Sequence, residues 1–570
     1  MRSKLVTACT SLLVACSSSA VVATNDATTD AATDAAMGDG NTLDAPAPDA
    51  IASDTPHVEV GPAPTTCTAT VAAADVSHPT TVVGTGTASS CTEALLSAAI
   101  VTGGVVTFSC GTAPVTITLT ATLSPPTDKD TTIDGGGLLT IDGGGAVRIL
   151  DWNSANYRAD AHVLTLQHLT LTRGKATGTK SYPTEPAPCS QGFYDGSGGA
   201  LHMRDGVLHA IDVKFLDNHA AALGPDVGGG AVYIEGCKSG AFVGCTFDGN
   251  SASNAGAIGA LNSDFDVFDS TFTNNTALGN GANGDDATKC SVVDPVTKQH
   301  QTGSGGNGGA IAIDGGSDGT HTFCGAVFAN NTGGTGALGG AIFRTPDGAQ
   351  MKTVIDRCTF DGNHGDAAGA GYFHNSDLEI TASTFSNNVA SGAGAIQSDG
   401  SVLTLTNVTF SGNHATTSPG GTLSLFGVTG ALLNCTFASN ACDAANMFGA
   451  AIFGSPKLTI DSTIFDGDTA TNPGAPMQCQ VDASTSGASD LQWPKTKTNG
   501  GADDAACVSG VTFADAKLGA LGDHTGPVKT MVPAAGSPAL GAGTKCAATD
   551  ARGKTRPATG CTAGAVEGSE

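Results

Sequence analysis

From about residue 198 to 468 the chain alternates apolar and polar positions with a period of two, in short runs broken by Gly and Asn. In Val402-Leu403-Thr404-Leu405-Thr406 the two Leu side chains point one way and the Thr the other; Phe265 with Val267, and Leu378 with Ile380, fill the same two slots. This is the pattern of strands with one buried face. Two marks keep the runs in register. Gly-Ala followed by an aliphatic residue recurs at Gly199, Gly230, Gly256, Gly309, Gly340 and Gly394. Phe-x-x-Asn recurs at Phe215/Asn218, Phe247/Asn250, Phe272/Asn275, Phe328/Asn331, Phe360/Asn363, Phe385/Asn388, Phe410/Asn413 and Phe437/Asn440, and a ninth copy, Phe465/Asp468, ends in Asp. Phe247 to Phe272, Phe360 to Phe385 and Phe385 to Phe410 are each 25 residues apart. A fixed period of this length in β-rich sequence predicts stacked coils, not independent domains.

The small residue two places before each Phe (Cys245, Ser270, Cys358, Ser383 and Cys435 among them) shares its parity and points inward. Each coil then holds about three short strands joined at Gly and Asn corners. Stacking sets Asn218, Asn250, Asn275, Asn331, Asn363, Asn388, Asn413 and Asn440 one over the next as a ladder of side-chain amides. The expected fold is all-β: a single-stranded right-handed parallel β-helix of about 12 rungs of ~25 residues. Gly104–Phe108 and Val115–Leu119 read as its first strands, and Ile133-Asp134-Gly135 and Ile141-Asp142-Gly143 as a tandem pair. Cys91 to Ile100 predicts a short helix closing the open end of the core.

The N-terminus carries an address. Arg2 and Lys4 precede an apolar run from Leu5 to Ala15, too short to span a bilayer. Leu13-Val14-Ala15-Cys16 resembles a bacterial lipobox, which implies cleavage before Cys16 and lipidation of its thiol. Ser17 in place of Asp implies the outer membrane. Asp26, Asp30, Asp34, Asp39, Asp44, Asp49 and Asp54 then recur among Ala, Thr and Pro, the composition of a self-repelling, disordered tether. The expected organisation is a signal peptide at 1–15, a tether at 16–65, an N-terminal cap at 66–103, the β-helix at 104–470 and a C-terminal cap and tail region at 471–570. The expected location is the bacterial outer membrane or cell surface, held by the N-terminal lipid alone.

Composition narrows the partners. A net charge of −27 disfavours nucleic acid and anionic polysaccharide, although part of that acidity lies in the tether. The 79 Gly show no G-x-y period, which excludes collagen, and 40% hydrophobic residues exclude disorder throughout. Seventeen Cys suit an exported chain. Cys245, Cys358 and Cys435 fill the inward small slot and are expected as buried thiols. The expected bridges are Cys91–Cys110, Cys479–Cys507 and Cys546–Cys561, with Cys189–Cys237 and Cys290–Cys324 as further pairs.

The Gly-Gly-Ala-Ile and Phe-x-x-Asn marks are similar to the repeats of polymorphic outer-membrane proteins, which are β-helical surface adhesins. The tail resembles the choice-of-anchor Q family in Leu518-Gly519-Ala520-Leu521, Gly536-Ser537-Pro538-Ala539-Leu540-Gly541, Asp550-Ala551-Arg552-Gly553-Lys554-Thr555-Arg556-Pro557 and Gly564-Ala565-Val566-Glu567. These resemblances span roughly 90 to 567 and imply fold and surface display more than an activity. Nothing resembles the membrane barrel with which polymorphic proteins end.

β-Helices also carry polysaccharide lyases and glycosidases. A lyase needs a base and acidic Ca²⁺ ligands, and a glycosidase needs two spaced carboxylates. Arg148, Arg173, Arg204, Arg344 and Arg357 share no register with paired acids. Asp285-Asp286 and Asp503-Asp504 read as exposed loop acids, with weak calcium binding as the alternative. His219, His364 and His414 each follow a ladder Asn, but Val389 occupies the rung between the last two, so they read as solvated corners. Asp550, Arg552 and Arg556 read as salt bridges of the cap. Inserts at 174–197, 219–227 and 276–307 enter at one corner and build a lateral platform, whose candidate ligand residues are Tyr182, Tyr194, Asp195, Asp285, Asp286 and Lys289. The expected function is adhesion or extracellular binding of glycan or protein by a monomer, without catalysis, metal or cofactor. The alternative is a Ca²⁺-dependent polysaccharide lyase or glycoside hydrolase.

Overall fold

The computed structural model describes residues 67–159, 162–179, 195–224, 227–279, 305–315, 319–345, 351–417, 420–443, 448–481, 485–498 and 500–570. All of these lie in one compact unit, Pro62–Glu570. Cys16, the tether, Tyr182, Tyr194, Asp285, Asp286, Lys289, Cys189 and Cys290 fall outside the described residues.

The unit is a parallel β-helix. One rung runs through Ile396–Asp399, Val402–Thr406, Thr409–Ser411 and His414–Ala415, then returns at Leu423–Phe426. Each piece pairs in parallel with its counterpart one rung on: Ile396 with Leu423, Leu403 with Gly430, Phe410 with Phe437 and Ala415 with Cys442. The Leu and Phe strands build a 25-stranded sheet, hereafter the first sheet. The Gly-Ala strands build an 11-stranded second sheet, and the first sheet continues past it at both ends. The short corner strands stack as a third ladder. The tandem Ile-Asp-Gly pair belongs to a single rung: Thr131–Asp142 supplies both first-sheet strands, with the register shifting between Asp134 and Leu139.

The Asn ladder explains why the repeat keeps its period. All eight Asn are buried. Asn363 shows the common pattern: its Nδ2 donates to Asn388 Oδ1 at 2.9 Å and back to the Phe328 carbonyl at 2.9 Å. Its Oδ1 accepts the backbone N–H and the Nδ2 of Asn331. Each amide is thereby satisfied only when a copy lies directly above and another below. Removing one leaves buried groups unpaired, at about 1–3 kcal/mol each. The left-handed backbone at this corner falls on the residue before the Asn, for example Asn330, Asn387 and Gly412. Beside the ladder, Phe215, Phe247, Phe272, Phe328, Phe360, Phe385, Phe410, Phe437 and Phe465 stack face to face, with ring centroids 4.5–5.2 Å apart. That spacing matches the distance between neighbouring strands.

The Gly-Gly-Ala mark has two separate causes. The first Gly takes positive φ, 66° at Gly229 and 64° at Gly308. The second has no room for a side chain: a Cβ on Gly309 would lie 2.1 Å from the Gly340 carbonyl oxygen.

The N-terminal opening is closed by the helix Glu93–Thr102, which buries Leu96, Ala99 and Ile100; the Thr92 side chain caps it and Gly103 ends it. Ahead of it, Thr81–Val83 adds an end strand that buries Val83 in the core, whereas the segment before that strand, from residue 67, does not enter the core. It runs back along the first sheet, where Ala74 exchanges two hydrogen bonds with the Gln167 side chain and Cys67 is bonded to Cys324. The far opening is filled by Cys507 and Val508. Residues 515–570 then fold back over the first sheet as a second strap. Thr384 Oγ1 donates to the Lys529 carbonyl, Asn407 Nδ2 to Thr549 and Ser462 Oγ to Lys545. None of these hydrogen bonds reaches the second sheet.

Cys91–Cys110, Cys479–Cys507 and Cys546–Cys561 are bonded. Two expected pairs do not form. Cys324 is bonded to Cys67, not Cys290, and Cys237 is a buried thiol. Cys237 occupies a small inward slot at another corner: its N–H donates to Ser263 Oγ at 2.9 Å, as Cys245 N–H does to Ser270 Oγ at 3.0 Å. Cys442 is also unpaired, stacked between Ala415 and Ala470. Burial pushes the thiols of Cys237, Cys245, Cys358, Cys435 and Cys442 up to about 12.

The ladder ends on Asp468. Its Oδ1 accepts both donors of Asn440 at 2.8 Å, while the fully buried Oδ2 meets no partner. Burial pushes its pKa from 3.8 to about 7. A protonated Asp has the shape and the donor of Asn, so folding takes up a proton between pH 4 and 7 and stability falls as pH rises through that window. The melting temperature of Asp468→Asn minus that of the wild type is expected to rise from pH 4 to 7 and to stay constant above. Parallel melting curves across pH 4–8 would refute this.

Candidate functional site

The inserts enter after the Asn corner, and only their edges are described. Asp195 accepts from the Thr179 N–H at 2.8 Å and from its hydroxyl at 2.5 Å. Its charge also acts on Arg148, which reaches the carbonyls of Ser197 at 2.8 Å and Gly198 at 3.0 Å. Of the platform residues, Asp195 alone is described.

Arg148 leads to a cluster that the sequence reading passed over. Leu150–Asn153, Leu201–Arg204 and Val232–Glu235 are successive second-sheet strands, and Asp151, His202 and Tyr233 stand in register on their outer side. His202 Nδ1 lies 2.8 Å from Asp151 Oδ1. The His202 ring stacks on Tyr233, with centroids 6.1 Å apart and planes 5° from parallel. Arg148 lies 3.6 Å from the same carboxylate. Burial would raise Asp151, but His202 and Arg148 outweigh it and hold its pKa below the usual value. One register position on, Arg204 pairs with Glu235 at 3.2 Å and lies over the Tyr157 ring at 5.2 Å. Tyr157 is 40% exposed.

Both guanidinium groups are committed to protein partners: Arg148 to two carbonyls and Asp151, and Arg204 to Glu235 and the Ser154 carbonyl. They brace the surface and are not free to grip an anion. His202 differs. Asp151 holds its Nδ1, its side chain is 17% exposed, and among the described residues no hydrogen-bond partner meets Nε2. An oriented imidazole beside a stacked Tyr ring can exchange hydrogen bonds with a hydroxyl-rich ligand. A carboxylate-held His is also the arrangement of a general base. The signal was present in sequence, since His202 and Tyr233 each follow the aliphatic residue of a Gly-Ala mark. Asp151 follows Ile149-Leu150 with no such mark, so the third member could not be aligned.

The other candidates resolve as structure. Asp504 takes the N–H groups of Met477 and Gln478 and the Gln492 side chain, so it is a buried acceptor and not an exposed loop acid; Asp503 pairs with Lys495 at 3.1 Å. His364, Val389 and His414 stack in that order. His414 lies 2.6 Å from Asp443, and His219 bonds Ser251 and Asp217. Arg344 lies inside the coil between Ile313 and Phe373. It donates to the Gly315 carbonyl, and burial lowers its pKa to about 10. Burial, with the Arg344 charge beside it, lowers His321 to about 3 and keeps that ring neutral. A groove of about 410 Å³ runs between the rod, at Asp356, Arg357, Thr406 and Asn407, and the strap at 547–553. Its side chains mainly bond one another. No cluster of metal-ligating side chains occurs among the described residues, and no described helix is long and apolar enough to cross a membrane.

The tail motif is a clasp. Fully buried Arg556 donates to Glu567 Oε2, Asn407 Oδ1 and the carbonyls of Thr562 and Gly564 at 2.7–3.1 Å. Asp550 accepts from Arg552 and from the N–H groups of Arg552, Lys554 and Glu567.

The strand pairing makes this a parallel β-helix protein. No protein-family model and no curated protein matches the chain. Among solved structures it is similar to PfbA, a surface adhesin of Streptococcus pneumoniae, at 13% identity over 78% of this chain and 95% of that one, with a TM-score of 0.37. It is also similar to the A-module of the mannuronan C-5 epimerase AlgE4 of Azotobacter vinelandii, at 11% identity over 69% and 95%, with a TM-score of 0.31. Likenesses this distant carry no inference about activity.

Arg556→Lys keeps the charge but loses the fork that meets four acceptors. It should destabilise the strap by about 2 kcal/mol or more and expose residues beyond 514 to protease while the rod stays resistant. An unchanged digestion pattern would show that the clasp does not hold the strap.

Proposed function

We propose that this chain is a lipid-anchored, surface-displayed β-helix that binds an extracellular glycan or a protein surface through the outer side of its second sheet, without catalysis. The observation that carries the reading is the Asp151–His202–Tyr233 stack. Its His202 is 17% exposed in front of the buried Tyr233 ring, among the described residues no hydrogen-bond partner meets Nε2, and it lies on the sheet that the described straps' hydrogen bonds do not reach. Asp195, whose charge acts on Arg148, is the one described platform residue that reaches this cluster. Flat rings and hydrogen-bonding groups suit sugar hydroxyls. The surrounding guanidinium–carboxylate pairs are internally neutralised, which favours a neutral or basic ligand over a polyanion. The lipobox-like Cys16 and the choice-of-anchor Q-like tail support display at the cell surface.

A second reading rests on the same hydrogen bond. Asp151 and His202 have the geometry of a held base, as a polysaccharide lyase would need. Absorbance of unsaturated products separates the two: turnover on any polyuronate that His202→Ala abolishes would replace binding with catalysis.

On a glycan array the wild-type protein should retain a discrete set of sugars, and His202→Ala should weaken that binding at least tenfold with an unchanged melting temperature. Equal binding by the variant would remove the cluster from the proposal. Cys16→Ala should move the protein from the membrane to the soluble fraction, and continued sedimentation with membranes would exclude the lipid.

A further inference from the structure

The bond between Cys67 and Cys324 joins residues 257 apart in sequence. It is the one described disulfide that links distant rungs; the others span 19, 28 and 15 residues. Its position is unusual for a stabilising link, because the rungs on either side of Cys324 are already stitched. The Thr320–Cys324 strand pairs in register with Met351–Asp356 on one side, and Val267 and Phe268 pair with Phe323 and Cys324 on the other. Phe272, Phe328 and Phe360 stack through the same region.

The bond instead determines where the chain N-terminal to Cys67 is fastened. Without it, that chain would continue through residues 68–80 into the first strand, Thr81–Val83, at the very end of the coil. An end strand has only one neighbour. Thr81–Val83 is held by pairing with Val106–Phe108, so a pull on it would open one strand at a time. With the bond in place the same pull reaches Cys324, in an interior rung with neighbours on both sides.

We propose that Cys67–Cys324 is a mechanical fastening. It transfers tension from the N-terminal segment directly to an interior rung and prevents the N-terminal rungs from being peeled off the coil. This deepens the surface-display reading, because a lipid-held binder experiences tension through its N-terminus whenever its ligand moves. The coil from 68 to 323 is a covalently closed loop that such tension cannot straighten. That loop contains the helical cap and the whole Asp151–His202–Tyr233 cluster. The proposal concerns mechanics alone, so it stands or falls separately from ligand identity and from acylation of Cys16.

Single-molecule pulling between handles at the two termini tests it. Oxidised wild-type protein should release chain only from residue 325 onward. The Cys67→Ser, Cys324→Ser double variant should release several hundred ångströms more before reaching full extension, with a ceiling on the order of 800 Å set by ~3.5 Å per residue. The first rupture in the variant should also occur at lower force, because peeling starts at the end strand. A second arrangement leaves both cysteines in the sequence: pulled between the same handles in a reducing buffer, with loss of the bond checked by thiol titration, the wild-type protein should give the long extension. Equal extensions for oxidised wild type and double variant, or a short extension from the reduced wild-type protein, would overturn the proposal. Lipid release by Cys16→Ala is read separately, so failure of the display reading and failure of the fastening cannot be confused.

Discussion

The buried amide ladder is the constraint on which the other features of the coil depend. A Phe stack alone would tolerate sliding, since apolar contact is not directional. The Asn side chain is directional twice over: it must find an acceptor below, an acceptor in the adjacent carbonyl, and two donors above. One residue of slippage in any rung would leave several of these groups buried and unpaired. The inserts show how strict this is. Between Asn275 and Asn331 the chain makes a long excursion, yet it returns so that Asn275 Nδ2 meets Asn331 Oδ1 at 3.0 Å. Length can vary between corners because the corner, not the loop, sets the register.

That constraint divides the surface. Inward positions are fixed by the stacks, so variation collects in the outward column of each strand and in the inserts. On the first sheet the outward Thr and Asn side chains serve the molecule itself, receiving the C-terminal strap at Thr384, Asn407 and Thr436. On the second sheet the same kind of position carries Asp151, His202 and Tyr233. A binding surface therefore has most freedom on the sheet that the described straps' hydrogen bonds do not reach, which is where His202 lies.

The repeat was legible because stacking acts between equivalent residues of adjacent rungs, and equivalence shows as a period. Each Phe and Asn announced its partner one period away, and the inward parity of Cys245, Cys358 and Cys435 followed from the same count. What failed lacked a period. Cys67 meets Cys324 because an aperiodic strap crosses many rungs, and no spacing rule connects them. Cys237 was assigned to a disulfide although it too fills a small inward slot; that slot belongs to a different corner, whose only sequence sign is Ser263 in the next rung. Residues 471–570 were assigned to a cap and tail region, whereas Cys479–Gln480, Ser486–Ala488 and Leu491–Trp493 add a further rung, Cys507 and Val508 close the core, and 515–570 lie along the flank. Asp504 looked like a loop acid because backbone N–H donors leave no trace in sequence.

The ladder also has to stop, and how it stops follows from its chemistry. Every amide passes two acceptor positions to its predecessor and requires an acceptor from its successor. A final Asn would present an N–H pair with no further amide oxygen to receive it. An Asp in that place still receives both donors of Asn440 and, once protonated, carries a single hydrogen in place of two. Nearby Asp490 repeats the device one column over. It accepts the Thr463 N–H at 2.8 Å, and burial pushes it up to about 8. Each carboxyl, its pKa raised by burial, accepts the donors of the rung before it where its own column of side chains ends. The terminal rungs are therefore secured by protons where the interior is secured by repetition, which makes them the part of the coil most sensitive to rising pH.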